Sequence, residues 1–230
     1  SINVNDLNQY LDSLNLTKEE KKGILQLCEW CKTEKISMRM NNDLWMSELV
    51  MTYFASLSPT NPDLFGCWKR WVVYRNDHGL YNVNSKRLQQ FFDSGIFSIG
   101  FDNERRPIWF INTEHYDDTF GQEVITKACE LWVTSLLWNL TKNEYDLFGL
   151  RRGLSVYVNL SHWSINMASW SILQSIKKAV VAFPFHLIDI YIINIPTFMY
   201  LLKQLAAKIV VPHAMEKFKI LTDQNEYFEK

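Results

Sequence analysis

Two apolar runs of strand length, separated by a segment of helical length, constrain the fold of this 230-residue chain more than any other feature. The first run is Leu154-Ser-Val-Tyr-Val-Asn-Leu160 and the second is Leu187-Ile-Asp-Ile-Tyr-Ile-Ile193. Parallel strands covered on both faces have near-continuous apolar sequences, and a crossover helix must join them. The pattern therefore predicts a parallel βαβ unit.

Alternate residues of a strand point to opposite faces of its sheet. Of the first run, Val156, Val158 and Leu160 should therefore share one face, opposite Ser155, Tyr157 and Asn159. Of the second run, Ile188, Ile190 and Ile192 should oppose Asp189, Tyr191 and Ile193. Each run thus supplies an apolar face that needs a cover.

Helical spacing of apolar residues predicts helices over 5–35, 42–57, 63–75, 85–97 and 120–140. Thr17 followed by Glu20 forms a capping-box pattern, which marks a helix start. The residues 106–112 are a predicted strand with Ile108 and Phe110 on one face and Trp109 and Ile111 on the other. A second strand is predicted over 217–220, and the polar stretch 141–152 is a predicted loop. A further helix over 197–209 carries a wide apolar stripe, between Pro196 and Pro212 as candidate hinges.

Several short motifs occur in a fixed order along the second part of the chain. They are the turn Asp102-Asn-Glu-Arg-Arg106-Pro107, Gly153 with Asn159-Leu160 and Trp163, Phe183-Pro184, Ile193-Asn194 with Pro196, and Lys219-Ile220. This collinear set resembles the CRAL-TRIO lipid-transfer family. Two departures stand out, because Arg105 occupies the place of a turn glycine and Asn159 stands where relatives often have aspartate.

The resemblance implies an α/β fold with two lobes. An N-terminal helical lobe would span 1–84, and a CRAL-TRIO-type lobe would span 85–230 and continue beyond the last residue given. The second lobe would hold a mostly parallel sheet flanked by helices, with a gate helix over an apolar pocket. The resemblance also implies a set of residues around a ligand: Leu131, Ser135, Val156, Val158, Trp163, Phe183, Leu187 and Ile190. On the gate helix it implies Phe198, Leu202 and Leu205.

Membrane contact is expected at four lysines that could meet anionic headgroups: Lys203, Lys208, Lys217 and Lys219. The alternative for these residues is a solvated face, and for the apolar set it is a core packed without a cavity. Both alternatives remain open at the level of sequence.

Other classes of function find little support. A net charge of −1 argues against nucleic-acid binding. The chain has no His-x-x-x-His pair, no Gly-x-Ser-x-Gly elbow and no phosphate-binding glycine motif. Cys28-x-x-Cys31 lies late in a predicted helix, where a structural role is favoured over a thiol redox role. We therefore expect no enzyme, no cofactor and no metal.

The expected function is binding and intermembrane transfer of one small hydrophobic ligand, a lipid or terpenoid. The expected partners are that ligand and a transient membrane surface, either anionic or containing phosphoinositide. An alternative is a protein-interaction or regulatory module on the same fold. Four cysteines form no disulfide framework, which favours a cytoplasmic protein that associates transiently with membranes.

Overall fold

The computed structural model describes residues 4–34, 42–57, 63–78, 85–140, 147, 151–162, 182, 186–196 and 218–221. In these ranges, α-helices pack on one face of a five-stranded mixed sheet. Buried residues of the helices and of that sheet face form one hydrophobic cluster. The α/β fold predicted from the sequence is therefore confirmed.

Within the described residues, six α-helices have defined bounds. They are α1 (Val4–Ser13), α2 (Lys18–Thr33), α3 (Asn42–Ser56), α4 (Leu64–His78), α5 (Ser85–Asp93) and α6 (Gly121–Leu140). Two short 3₁₀ helices, Thr113–His115 and Asp118–Phe120, lead into α6. The predicted capping box starts α2, since Thr17 Oγ1 accepts from the Glu20 amide at 3.2 Å and Glu20 Oε2 accepts from the Thr17 amide at 2.8 Å.

The five strands lie side by side in chain order. They are β1 (Phe97–Phe101), β2 (Pro107–Asn112), β3 (Leu154–Asn159), β4 (Leu187–Ile193) and β5 (Phe218–Ile220). β1 runs antiparallel to β2, whereas β2, β3, β4 and β5 are mutually parallel. The parallel pairing of β3 with β4, predicted from their apolar runs, is confirmed.

Two predictions of secondary structure are wrong. The helix predicted over 85–97 ends at Asp93, because Gly95 adopts a φ of 77° that turns the chain out of the helix and into β1. The loop predicted over 141–152 is helical at Leu147, Arg151 and Arg152. Leu147 is fully buried, so core packing holds helical backbone in a segment of polar composition.

The two faces of the sheet belong to different clusters. Trp109, Val156 and Ile190 join the large cluster that the helices complete. Ile108, Tyr157 and Ile193 point the other way, into a smaller cluster closed by Leu221. The alternation predicted for β2, β3 and β4 is therefore confirmed.

The turn between β1 and β2 is organised by one carboxylate. Asp102 accepts hydrogen bonds from the Glu104 amide at 2.9 Å, the Arg106 amide at 2.8 Å and Arg106 Nε at 2.5 Å. Burial raises the pKa of Asp102, but the hydrogen bonds and charge of Arg106 outweigh it and hold that pKa below its usual value. Within this turn Arg105 has a φ of 61°, which is the left-handed conformation that glycine adopts without strain.

We expect Arg105→Gly to be more stable than Arg105→Ala by about 1 kcal/mol, because only glycine relieves the left-handed strain. The alanine variant is the matched control, since it removes the same side chain and keeps the strain. Urea unfolding of both variants measures the difference. A glycine variant no more stable than the alanine variant would show that the turn carries no such strain.

Candidate functional site

The sheet face under the helices is built from apolar rows that cross the strands in register. One row joins Trp109, Val156 and Ile190 on β2, β3 and β4, and we call it the buried row. The next row toward the carboxyl ends of these strands joins Ile111, Val158 and Ile192, and we call it the half-buried row. Both rows occupy the three central strands of the sheet.

The two rows differ in burial. Trp109, Val156 and Ile190 are 4%, 7% and 6% exposed, as packed core residues should be. Every member of the half-buried row is only partly buried, although it lies on the same face of the same strands. Protein interiors are close-packed, so apolar side chains at the centre of a covered face are normally inaccessible. The carboxyl-terminal half of this sheet face is therefore more accessible than the buried row.

Aromatic side chains from several elements lie beside these rows. The ring of Trp132 on α6 lies 5.8 Å from that of Phe97 and 6.2 Å from that of Phe92, between ring centroids. Phe97 in turn meets Trp109 edge-on at 5.2 Å. Bulky rings in mutual contact are hard to displace, so the sheet face is rigidly packed on the β1 side of the two rows.

The structure brings together all five of the predicted ligand residues whose side chains it describes. Leu131, Val156, Val158, Leu187 and Ile190 belong to the same hydrophobic cluster. Ser135 lies in α6, but its side chain is outside the described residues. The remaining predicted residues also lie outside them: Trp163, Phe183, Phe198, Leu202, Leu205, Lys203, Lys208 and Lys217. Their roles stay predictions.

Sequence reasoning did not assign three neighbours of this group to the pocket, namely Ile111, Trp132 and Ile192. The signal for both isoleucines was available, because each lies two residues beyond a residue of the buried row and must share its face. No sequence pattern marked Trp132, whose position depends on how α6 crosses the sheet.

Lys219, predicted to contact membranes, is engaged within the sheet. Its ammonium lies 2.8 Å from Asp189 Oδ2 and 5.4 Å from the ring centroid of Tyr191. The Tyr191 hydroxyl donates to the same carboxylate oxygen at 3.1 Å. The hydrogen bond to Asp189 raises the pKa of Lys219, despite partial burial. A headgroup would have to compete with this ion pair, so membrane contact at Lys219 stays a prediction.

Three asparagine amides link the carboxyl ends of β2, β3 and β4. Asn159 Nδ2 donates to Asn112 Oδ1 at 3.1 Å, and Asn194 Nδ2 donates to Asn159 Oδ1 at 2.9 Å. An aspartate at position 159, which relatives often have, could not make the first of these bonds because it lacks a donor. An asparagine at position 159, in place of the aspartate of relatives, therefore suits its two amide neighbours, because it donates to one and accepts from the other. These bonds tie the three strands together at their carboxyl ends.

The two cysteines of the Cys-x-x-Cys pattern are unsuited to redox chemistry. Cys28 and Cys31 are free and buried within α2. Burial raises the pKa of the Cys28 thiol, and it raises the pKa of Cys31 to about 12. A reactive thiol needs the opposite shift. Among the described residues, no group of three or more His, Cys, Asp or Glu side chains is placed to hold a metal ion.

Comparison with known proteins identifies the family. A family model described as the CRAL/TRIO domain matches residues 92–230, which is more than half of the chain. The chain belongs to the CRAL/TRIO family. CRAL/TRIO domains are in general lipid-binding domains rather than enzymes. The match includes all five strands of the sheet and therefore both apolar rows.

Among solved structures, the CRAL/TRIO chain is similar to the crystal structure of Sfh5. The TM-score is 0.53 at 14% sequence identity, over 100% of this chain and 84% of that one. At this identity the likeness concerns the fold alone. No curated protein matches the sequence. In the part of the chain that is described, none of the helices has the length and apolar character needed to cross a membrane.

Proposed function

We propose that this CRAL/TRIO protein binds one small hydrophobic molecule, a lipid or a terpenoid, and transfers it between membranes without catalysing a reaction. The observation that supports the proposal is the partial exposure of Ile111, Val158 and Ile192 at the centre of a covered sheet face. Ligand pockets are concave and mostly apolar, and open α/β sheets bind ligands near the carboxyl ends of their strands. The half-buried row is apolar and lies near the carboxyl ends of β2, β3 and β4, which supports the proposal.

The energetics suit a carrier. Burying an alkyl chain is favourable by about 0.8 kcal/mol per methylene, so a dozen methylenes contribute on the order of 10 kcal/mol. A bilayer offers the same chain a comparable environment, and exchange therefore requires a cover that opens at a membrane. Our candidate for the cover is the segment 197–209, which contains Phe198, Leu202 and Leu205. We place the boundary between the helical lobe and the CRAL/TRIO-type lobe between residues 84 and 85.

Native mass spectrometry of the purified protein tests the proposal. We expect a co-purified hydrophobic molecule, or one acquired after incubation with phospholipid vesicles and removal of the vesicles. Denaturing the same sample should release the mass, because the proposed complex is non-covalent. A protein that is ligand-free on purification and extracts nothing from vesicles of mixed lipids would contradict the proposal.

One observation favours the alternative, a protein-interaction module. The edge strand β1 exposes Ile99 and Phe101 to 39% and 53%, on a strand whose outer edge is unpaired within the described sheet. Exposed apolar side chains on an edge strand are a common feature of binding surfaces. This alternative has no transported ligand, so Phe101→Ser would remove partner binding while parent and variant would both be ligand-free in native mass spectrometry.

A further inference from the structure

The surface between α1 and α2 contains an open groove of about 590 Å³. Four lysines line it, Lys18, Lys21, Lys22 and Lys32, against a single acidic residue, Glu29. Leu25 and Cys28 supply its apolar lining. The protein as a whole has a net charge of −1, whereas the side chains that line this groove are predominantly positive.

Helical periodicity places these groups on one side of α2. Lys18, Lys22, Leu25, Glu29 and Lys32 follow one another at spacings of three or four residues, which aligns them along one face. The opposite face, with Ile24, Leu27 and Cys31, is buried in the core. The amino-terminal end of α2, where three of the lysines lie, adds the positive end of the helix dipole.

Two of the four lysines have no ion-pair partner among the residues that the structure describes. Lys21 Nζ lies 2.5 Å from Asp12 Oδ1, and Lys32 Nζ lies 3.6 Å from Glu29 Oε2. Lys18 and Lys22 are exposed, and neither forms an ion pair within the described residues. The groove therefore offers two adjacent cations, one helical turn apart, to an external anion.

We propose that this groove docks the protein on an anionic bilayer surface. The proposal rests on the carrier function above, since exchange of a lipid requires contact with a membrane. Specific peptide sites are rich in aromatic and arginine anchors held in closed pockets. This groove is open and has lysine in place of arginine, and its lining contains no aromatic residue. Flexible, strongly hydrated ammonium groups suit a diffuse layer of anionic headgroups.

Co-sedimentation with vesicles of phosphatidylcholine, with and without phosphatidylserine, tests the docking surface. The parent protein should bind the anionic vesicles more tightly than the neutral ones, and added salt should weaken that binding. Lys18→Gln combined with Lys22→Gln should reduce the affinity for anionic vesicles roughly 25-fold, since each lysine near such a surface contributes roughly fivefold. The matched control, Lys69→Gln combined with Lys86→Gln, removes two exposed lysines from α4 and α5 and should bind as the parent does.

The outcomes separate this proposal from the carrier function. The amount of co-purified lipid, measured by native mass spectrometry, should be the same for parent, double variant and control, because the groove is on the outer surface of α2. Equal binding of parent and double variant to anionic vesicles would overturn the docking surface and leave the carrier function standing. A parent protein that does not bind these vesicles but is retained by polyglutamate would overturn the docking surface in favour of an acidic protein partner. Anionic binding without any lipid loading would keep the docking surface and reject the carrier function.

Discussion

Val158→Phe should abolish lipid loading while changing the free energy of unfolding by less than about 1 kcal/mol. Val158 lies between Ile111 and Ile192 in the half-buried row, where we infer free space above the sheet. A phenyl ring at this position would occupy that space instead of the ligand. Because the ring would fill a recess, it should not strain the surrounding core. Native mass spectrometry and urea unfolding of the same preparation measure both effects.

Val156→Phe is the matched control, two residues earlier on the same strand and face. Val156 is 7% exposed and lies between Trp109 and Ile190, where no space remains. The same enlargement should therefore overpack the core and lower the free energy of unfolding by roughly 1–3 kcal/mol. If the two variants lose stability equally, the half-buried row is packed like the buried row, and the proposed pocket does not lie there.

Arg151→Met should lower the free energy of unfolding by about 2–3 kcal/mol. Arg151 Nε and Nη2 donate to Glu20 Oε1 and Oε2, each at 2.7 Å, and Nη2 also donates to the Asn15 carbonyl at 2.6 Å. The side chains of Arg151 and Glu20 are 29% and 12% exposed. Breaking a fully buried pair costs roughly 3–5 kcal/mol, and the arginine's partial exposure reduces this value.

The effect of Arg151→Met should depend on pH. Burial raises the pKa of Glu20, but the hydrogen bonds from Arg151 and Thr17 and the arginine charge outweigh it, so the pKa lies below its ordinary value of 4.5. The unfolded chain thus binds a proton at a higher pH than the folded protein does. The ion pair contributes fully above pH 4.5, and its contribution is lost as the pH falls through the lower folded pKa. The parent and the variant should therefore differ less in free energy of unfolding at acidic pH than at neutral pH. Urea unfolding at both pH values measures this change.

A double-mutant cycle with Glu20→Gln completes this test. Glutamine keeps an oxygen that can accept from the Thr17 amide, so the capping box survives while the charge is removed. The two substitutions should be strongly non-additive, because either one alone breaks the same pair. Additive effects would mean that Arg151 stabilises the fold through the Asn15 carbonyl or the ring of Phe54, whose centroid lies 5.8 Å away, rather than through Glu20.

Much of the fold could be predicted because local patterns determine it. The alternation in β2, β3 and β4 predicted both the strands and their faces. Successive side chains of a strand point to opposite faces, so a shift by one residue would move the apolar side chains out of the core. The capping box located the start of α2 to the residue. These signals are contained within a few consecutive residues, so they survive without knowledge of the rest of the chain.

The errors occurred where a tertiary partner decides the local structure. Phe97, Ile99 and Phe101 alternate with Ser98 and Gly100, but this short run directly follows a helical pattern, and the predicted helix over 85–97 includes Phe97. Pairing with β2 makes it a strand, and the Phe110 ring packs where a Cβ on Gly100 would lie. Leu147 is likewise helical in a polar segment because it is buried in the core.

The candidate site was predictable in its residue types but not in its shape. Sequence alternation placed Val156 and Val158 on one face, yet it could not distinguish the packed row from the accessible one. That difference depends on how far the overlying helices extend across the sheet. The contact between Glu20 and Arg151 joins residues that are 131 positions apart, and neither residue has a sequence signature of its partner. The groove on α2 was missed because lysines on one helix face usually indicate only solvation.

The order of the strands has a consequence for biosynthesis. Because β1 to β5 lie side by side in the order in which the ribosome makes them, each emerging strand can add to the rim of the sheet already formed. Of these five strands, none has to insert between two that are already joined. During translation, the growing rim passes from β2 to β3 and then to β4, and these apolar strands are the surfaces a chaperone would have to shield until the next one arrives.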